Sequence, residues 1–102
     1  MKKTSANEVW FLYVLECSDC SLYTGISNNI EKRLKEHNTG LRGAKYTRSR
    51  RPVTFLISWK FKTKSGALKA EFRFKQLSKH EKQVAILYGH LPDQIACFQD
   101  EY

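Results

Sequence analysis

With 102 residues, of which 41% are hydrophobic and 13% aromatic, the chain can bury one core but not two. No apolar run approaches the roughly 18 residues of a membrane-spanning helix, and "MKKTSANE" lacks the features of a secretion signal, so we expect a single cytoplasmic domain. The net charge is +8, and all 18 Lys and Arg lie between Lys2 and Lys82. Such a charge favours a polyanionic partner, either nucleic acid or an anionic membrane face; the alternative is that it only keeps the protein soluble.

The first two predicted elements form a β-hairpin. "VWFLYVLE" at 9–16 is typical of a central strand, and "LYTGIS" at 22–27 of its antiparallel partner. If the connecting turn has two residues, Tyr13 and Tyr23 project from opposite faces, because side chains alternate along a strand. If the turn has three residues, Tyr13 lies opposite Gly25 and the two phenols share one face. Only the second register lets the tyrosines act together; otherwise both are ordinary packing residues.

The turn of this hairpin also carries two of the three cysteines. A three-residue turn places Cys20 in the left-handed backbone region, at a cost of about 1 kcal/mol. Cys17 and Cys20 have the spacing of half a zinc site, but His90 and Cys97 are a poor second half. A strained redox disulfide is a further alternative, and free thiols in a reducing compartment are the simplest interpretation.

Residues 29–38 are predicted to form the first helix, which begins at "NNIE". Ile30 and Leu34 make a narrow apolar stripe, and at 100° per residue Arg33 and His37 border that stripe. An arginine and a histidine spaced by four residues can present a fixed cation beside a titratable base, which suits an anionic substrate. A snorkelling arginine and a partly exposed histidine are the alternative.

A long irregular loop, "TGLRGAKYTRSRRP", follows the helix and shows neither helical nor strand periodicity. Loops of this length in compact domains are usually functional or disordered. Basic side chains around Tyr46 are predicted to grip phosphates while the phenol stacks on a base; they are Arg42, Lys45, Arg48, Arg50 and Arg51. A solvated basic loop without a ligand is the alternative.

The third strand is predicted at "VTFLISWKF", residues 53–61, because apolar and polar residues alternate there. One face of this strand is expected to be well buried; it consists of Val53, Phe55, Ile57, Trp59 and Phe61.

The second helix, predicted at residues 65–77, carries an acid inside its apolar sector. Glu71 lies close to Ala67 and Phe74 on the helix surface, whereas Lys69 and the other polar residues occupy the opposite side. Burying a carboxylate without a partner costs several kcal/mol, so we expect Glu71 to pair with a cation or a metal ion. A salt bridge to Arg33 is the alternative to a metal.

A third helix is predicted between the capping box "SKHE" and Gly89, and the remaining "HLPDQIACFQDEY" is expected to be a loosely packed tail. Together these elements predict one α+β domain, in which about three helices cover a three-stranded antiparallel sheet in the order β-β-α-β-α-α. Its core spans about residues 9–89 and its tail residues 90–102.

Five motifs, in this order and spacing, resemble those of the GIY-YIG nuclease superfamily: "YVLEC", "LYTGIS", "EKRLKEHNTG", "GAKYTR" and "AEFRFKQL". They are most similar to the UPF0213 group of small stand-alone bacterial proteins, which is related to the nuclease domain of structure-specific endonucleases. The resemblance covers about residues 9–87. It implies the GIY-YIG fold and a divalent-metal phosphodiesterase that cleaves DNA, or RNA, by structure rather than sequence, with no membrane partner.

By this resemblance, Tyr13 or His37 would activate a water molecule and Tyr23 would position it. Arg33 would stabilise the developing charge, and Glu71 would hold one Mg²⁺ or Mn²⁺, weakly without substrate. Two features depart from the pattern: "LYV" lacks the glycine and isoleucine of the first triplet, and "QVAIL" lacks an asparagine that larger relatives often carry. Activity could therefore need a protein partner, and the rival functions are a non-catalytic nucleic-acid-binding domain and a protein-interaction module.

Overall fold

The computed structural model describes residues 9–102, so the expectation about "MKKTSANE" falls on residues 1–8 and lies outside the described part. The fold is α+β, with one three-stranded antiparallel sheet in the strand order β2-β1-β3, as predicted. No helix within the described residues is both long and apolar enough to cross a bilayer. The elements in chain order are β1 (Trp10–Glu16), β2 (Leu22–Ser27), α1 (Ile30–Asn38), α2 (Lys45–Arg48), β3 (Thr54–Phe61), α3 (Lys64–Lys75), α4 (Lys79–Tyr88) and α5 (Asp93–Ala96).

The hairpin adopts the three-residue turn. Tyr13 pairs with Gly25 and Leu15 with Tyr23, so both phenols project from the same face of the sheet. Cys20 has φ 69°, the left-handed conformation that this turn requires of its last residue. All three cysteines are free thiols; Cys17 is buried and the other two are exposed.

The two faces of the sheet have separate apolar clusters. On one face, α3, α4 and α5 complete the main core, which contains Leu12, Val14, Trp59, Phe61, Ala67, Ala70, Phe74, Ala85, Leu91 and Ile95. Each large apolar side chain buried in this way contributes about 1.5–3 kcal/mol of hydrophobic stabilisation. On the other face, a smaller cluster of Tyr13, Leu15, Cys17 and Val53 packs against Tyr23, Ile30 and Leu34. The phenols and α1 therefore share the thinner side of the molecule.

The prediction of one continuous buried face on β3 is wrong for the first half of the strand. Val14 pairs with Ile57, but the next residue of β1 pairs with Phe55, which leaves Leu56 as an extra residue. Such a β-bulge changes which side chains face each side of the sheet. Phe55 is consequently 42% exposed, and Val53 joins the smaller cluster instead of the main core.

Two segments that were expected to be irregular contain short helices. The basic loop includes α2, and the supposedly loose tail includes α5, whose Ile95 is fully buried. A Cβ placed on Gly66 of α3 would lie 2.5 Å from the carbonyl oxygen of Phe98, so the tail packs directly on that helix. The expectation of a loosely packed tail is therefore wrong. Helices of four residues are too short to show a helical period in the sequence.

The longer helices begin and end close to the predicted positions. The Asn29 side chain caps α1 by accepting a hydrogen bond from the Lys32 amide at 3.1 Å. Ser78 and Glu81 form the predicted capping box of α4, and Gly89 ends that helix with φ +74°. The N-cap at Asn29 sets the start of α1, which packs on the smaller cluster and has His37 in its last turn.

Candidate active site

A buried hydrogen bond joins the first strand to the first helix. The hydroxyl of Tyr13 lies 2.8 Å from Nε2 of His37. Tyr13 is 2% exposed and His37 is fully buried, which makes the pair a closed contact between β1 and α1. The predicted alternative of a partly exposed histidine is therefore wrong. Polar groups buried in this way are normally retained only when they are hydrogen-bonded, as both are here.

The other nitrogen of the imidazole faces a residue that the sequence did not identify, Thr47 of α2. Thr47 is fully buried, and its Oγ1 lies 2.9 Å from His37 Nδ1. The same hydroxyl donates to the Ala44 carbonyl at 2.9 Å, so its oxygen is left to accept from Nδ1–H. The Ala44 amide also donates toward Nδ1, at 3.4 Å, which would need the opposite tautomer; we assign Nδ1–H because the Thr47 contact is shorter. His37 Nε2 then carries the lone pair that accepts the Tyr13 proton.

Replacing Thr47 by valine should disturb this tautomer without changing the size of the side chain. A buried Nδ1–H left without an acceptor costs about 1–3 kcal/mol, so we expect a loss of that order in the free energy of unfolding. Nitrogen chemical shifts of the His37 imidazole should report Nδ1–H in the wild type and a mixture of tautomers in Thr47→Val. Thr47→Ser, which keeps the hydroxyl, is the matched control. An Nε2–H tautomer in the wild type would contradict the assignment.

Tyr23 extends the site from the buried pair toward the surface. Its ring centroid lies 5.0 Å from that of His37 and 6.4 Å from that of Tyr13. Tyr46, which was predicted to stack on a base, instead stacks on Tyr23 at 6.1 Å, with the Arg50 guanidinium 3.9 Å from its ring centroid. Three phenols and one imidazole thus form a continuous aromatic wall, of which Tyr46 remains 39% exposed.

Arg33 stands at the edge of this wall, one turn before His37. Its Nη1 donates to Glu36 Oε1 at 3.1 Å and to the Arg42 carbonyl at 2.8 Å. Burial works to lower the pKa of Arg33, but hydrogen bonding to Glu36 and Tyr13 outweighs burial and raises it. The guanidinium is therefore a fixed positive charge beside the phenol.

The protonation states of the central pair follow from burial. Loss of hydration, aided by the charge of Tyr23, raises the pKa of Tyr13 to about 12, although the nearby Arg33 opposes the shift. Loss of hydration, aided by the positive charge of Arg33, lowers the pKa of His37 to about 4. At neutral pH the phenol therefore holds its proton, and the imidazole is neutral and free to accept one.

Glu71 reaches the site from α3. Its side chain is 20% exposed, and its negative charge is the smallest of the effects that act on the pKa of Tyr13, so the carboxylate acts on the phenol through space. The alternative of an Arg33–Glu71 salt bridge is wrong, because each residue has a partner on its own helix. Glu36 lies three residues after Arg33, and Lys75 binds Glu71 at 2.9 Å.

A divalent metal would have one candidate carboxylate ligand here, Glu71. Within residues 9–102, no group of three or more His, Cys, Asp or Glu is placed to hold an ion. Magnesium, however, is commonly held by one or two carboxylates, with water and substrate phosphate oxygens as the other ligands. Glu71 fits that role, and the Lys75 ammonium is the group that a metal would displace.

Two of the predicted phosphate-binding arginines are used within the fold. Arg51 donates to the carbonyls of His37 and Gly40, at 2.7 and 2.8 Å, and so ties the basic loop to the end of α1. Arg50 donates to Asp19 at 3.0 Å, besides covering the Tyr46 ring. The Arg51 contacts satisfy two carbonyls at the end of α1, and Arg50 adds a charged partner to a carboxylate that Ser21 also binds. Exposed cations do remain in this loop, at Arg42, Lys45 and Arg48.

Asn38 and Gly43 hold the same loop in place. The Asn38 side chain exchanges two hydrogen bonds with the Val53 backbone, at 2.8 and 2.9 Å. A Cβ on Gly43 would lie 2.8 Å from His37 Cα, so only glycine allows the loop to pass this close to α1. The contact holds Thr47 within reach of the imidazole.

Gly25 makes room for the first phenol. A Cβ at this position would lie 2.6 Å from Tyr13 Oη and 2.8 Å from Tyr13 Cζ. Because Tyr13 is buried, its ring cannot move away freely. We expect Gly25→Ala to lower the free energy of unfolding by about 1–3 kcal/mol, the usual cost of overpacking, measured by urea unfolding.

The double variant Gly25→Ala/Tyr13→Phe is the control for this clash. Removing the hydroxyl relieves the closest contact, so the combined loss should be smaller than the sum of the two single losses. Strict additivity of the two losses would contradict the assigned contact.

Comparison with known proteins identifies the family of this chain. A family model described as the GIY-YIG catalytic domain matches residues 9–83. A UPF0213 protein of Bacillus velezensis is 55% identical over 73 residues, which cover 72% of this chain and 73% of that protein. A UPF0213 protein of Cupriavidus necator is 51% identical over 79 residues, covering 78% of this chain and 85% of that protein.

Two solution NMR structures are also similar. The UPF0213 protein of Bacillus halodurans superimposes with a TM-score of 0.53 at 35% identity, covering 86% of this chain and 93% of that one. A protein of E. faecalis superimposes with a TM-score of 0.54 at 35% identity, covering 87% and 92%. The chain therefore belongs to the GIY-YIG nuclease family, and within it to the UPF0213 group.

Proposed function

We propose that this protein is a metal-dependent endonuclease that hydrolyses phosphodiester bonds in DNA or RNA and selects its substrate by structure rather than sequence. The observation that carries the proposal is the buried Tyr13–His37 hydrogen bond of 2.8 Å beside a fixed guanidinium. A phenol hydrogen-bonded to a neutral imidazole can accept one proton while it passes its own proton to the imidazole. Packing of the core alone does not require this hydrogen bond.

The proposed proton relay would start at a water molecule that the bound substrate brings against the Tyr13 oxygen, because Tyr13 is only 2% exposed in the free protein. As the water attacks phosphorus, the P–O bond to the leaving sugar oxygen breaks, and that oxygen takes up a proton from solvent. The proton of the attacking water passes to Tyr13 Oη while the Tyr13 proton passes to His37 Nε2. The phenol therefore never has to ionise fully, which its pKa of about 12 would oppose. Thr47 accepts from the opposite side of the imidazole and stabilises the positive charge that forms on His37.

Arg33 and Tyr23 act on the phosphate and the attacking water. The Arg33 guanidinium is held by Glu36 and the Arg42 carbonyl, and we assign it to the phosphoryl oxygens, where negative charge would grow. The Tyr23 ring packs against His37, with ring centroids 5.0 Å apart, and we assign its hydroxyl to orienting the water. Glu71 would anchor one Mg²⁺ or Mn²⁺, which when bound supplies charge neutralisation at the phosphate.

Substrate binding is assigned to the exposed cations of the basic loop. Arg42, Lys45 and Arg48 are exposed and can contact backbone phosphates. Contacts with phosphates position a nucleic acid without reading its bases, which accounts for selection by structure.

The test is nicking of supercoiled and branched DNA, and of structured RNA, with Mg²⁺ or Mn²⁺. We expect wild-type protein to cut and Glu71→Gln to lose metal-dependent cutting while binding nucleic acid equally well. Asp93→Asn, a change of an exposed acid on α5, is the matched control and should cut normally. Metal-independent cutting, or cutting by Glu71→Gln at the wild-type rate, would contradict the proposal.

One observation favours a second function, binding of nucleic acid without cleavage. Glu71 is the single acid that we assign to the metal, and no larger cluster of metal ligands lies within residues 9–102. Salt-sensitive binding by the wild type, with no cut in any substrate of the same panel, would establish this second function in place of the first.

A further inference from the structure

A cavity of about 330 Å³ lies on the outer side of α1, against the start of the basic loop. Three cations line it: Lys32 and Lys35 of α1, and Arg42 of the loop. Glu36 also lines the cavity, but its carboxylate is bound to Arg33 at 3.1 Å. The cavity is therefore strongly cationic although it contains an acid.

The three cations have no acidic partner among the described residues. The ion pairs found within residues 9–102 involve Arg33, Arg50, Lys62, Lys69 and Lys75, and none of them includes Lys32, Lys35 or Arg42. Like charges facing one cavity repel one another unless an anion occupies it. The cavity is suited to a phosphate group.

The cavity shares a wall with the candidate active site. Arg33 Nη1 donates both to Glu36 and to the Arg42 carbonyl, and both of these residues line the cavity. A phosphate bound at Arg33 would therefore lie next to residues that line the cavity.

An exposed leucine at the rim points to a nucleotide rather than to a free anion. Leu41 also lines the cavity and is 82% exposed between cationic neighbours. A free phosphate would leave this apolar surface in water, whereas the sugar or base of a nucleotide would cover it.

We propose that this cavity binds a backbone phosphate adjacent to the scissile one, and that the same nucleotide packs on Leu41. The proposal rests on the proposed function, because it assigns part of the substrate of that site. It extends the contact with nucleic acid from the basic loop to the outer face of α1.

The experiment measures binding without cleavage. Anisotropy of fluorescein-labelled branched DNA is recorded in EDTA between about 50 and 200 mM salt. The double variant Lys32→Ala/Lys35→Ala should reduce the slope of log K against log salt by about one, the value for one lost phosphate contact. Leu41→Ser should weaken binding roughly threefold to tenfold and leave the slope unchanged.

Matched controls come from the groove beside α4. Lys79 and Leu87 are an exposed lysine and an exposed leucine that line a separate cavity of about 350 Å³. Lys79→Ala should keep the wild-type slope, and Leu87→Ser the wild-type affinity.

Three outcomes would overturn the proposal. They are an unchanged slope in the double lysine variant, an equal fall in slope for Lys79→Ala, and wild-type affinity in Leu41→Ser. Competition by inorganic phosphate at the same concentration as the oligonucleotide phosphate would identify a site for a free anion and would also overturn it. Because binding is recorded in EDTA, separately from the cleavage assay, a wild type that shows the expected slopes but does not cut in that assay supports a phosphate site here and refutes the nuclease alone.

Discussion

Replacing Tyr13 by phenylalanine is expected to slow metal-dependent cleavage about 10²–10³-fold, within the range usual for a lost general acid–base group. The variant keeps the ring that fills the smaller cluster but removes the oxygen through which the water proton would reach His37 Nε2. Binding of nucleic acid should change little, because the exposed cations are untouched. Single-turnover rates with saturating protein, alongside anisotropy in EDTA, separate the two effects.

Stability must be measured in the same variant. Without the phenol, the buried Nε2 of His37 loses its donor, which costs about 1–3 kcal/mol. Rates are therefore compared at a temperature where urea unfolding shows the variant to be folded. Tyr88→Phe removes an exposed phenol from α4 and should cut like the wild type. If Tyr13→Phe also cuts like the wild type, the relay is wrong and the water must be activated elsewhere.

Stability is expected to fall by about 3 kcal/mol as the pH drops from 6.5 to about 4, through the titration of His37 alone. The folded protein keeps this imidazole neutral down to about pH 4, whereas an unfolded histidine takes up its proton near 6.5. Between these values the unfolded state binds more protons, so acid favours unfolding. Above pH 6.5 the contribution of His37 is constant.

His37→Gln and His80→Gln distinguish this titration from that of other groups. Urea unfolding, followed by tryptophan fluorescence across this pH range, should show the fall in wild type and in His80→Gln, where an exposed histidine is lost. The fall should be smaller in His37→Gln by about the 3 kcal/mol assigned above. An equal fall in all three proteins would mean that His37 does not titrate as assigned.

The parts of the fold that could be predicted from sequence are those with local physical signals. The capping box of α4 and the N-cap of α1 are hydrogen bonds between residues three positions apart. Their geometry can therefore be predicted from the spacing of those residues in the sequence. The shared face of Tyr13 and Tyr23 depended on a single choice of turn length. The left-handed Cys20 shows that the three-residue turn is the one formed.

The parts that could not be predicted depend on contacts distant in sequence. The bulge at Leu56 arises where β3 meets β1, and nothing in "VTFLISWKF" marks it. Thr47 resembles any polar loop residue until α2 turns it toward His37, ten positions earlier in the chain. Tyr46 and Arg50 look free for a ligand in the sequence, but each finds a partner within the protein.

The attachment of the basic loop to α1 divides the loop into two kinds of position. Arg51 and Asn38 bind the end of the loop, and Gly43 allows the loop to pack against the helix. The contact between the loop and the His37 imidazole therefore does not depend on Lys45 or Arg48. Substitution of Lys45, and of Arg48 apart from its long 3.5 Å contact to the Leu41 carbonyl, therefore leaves the Tyr13–His37 pair in place. If the proposed function holds, the preference for nucleic acid can change at these positions without disturbing the alignment of that pair.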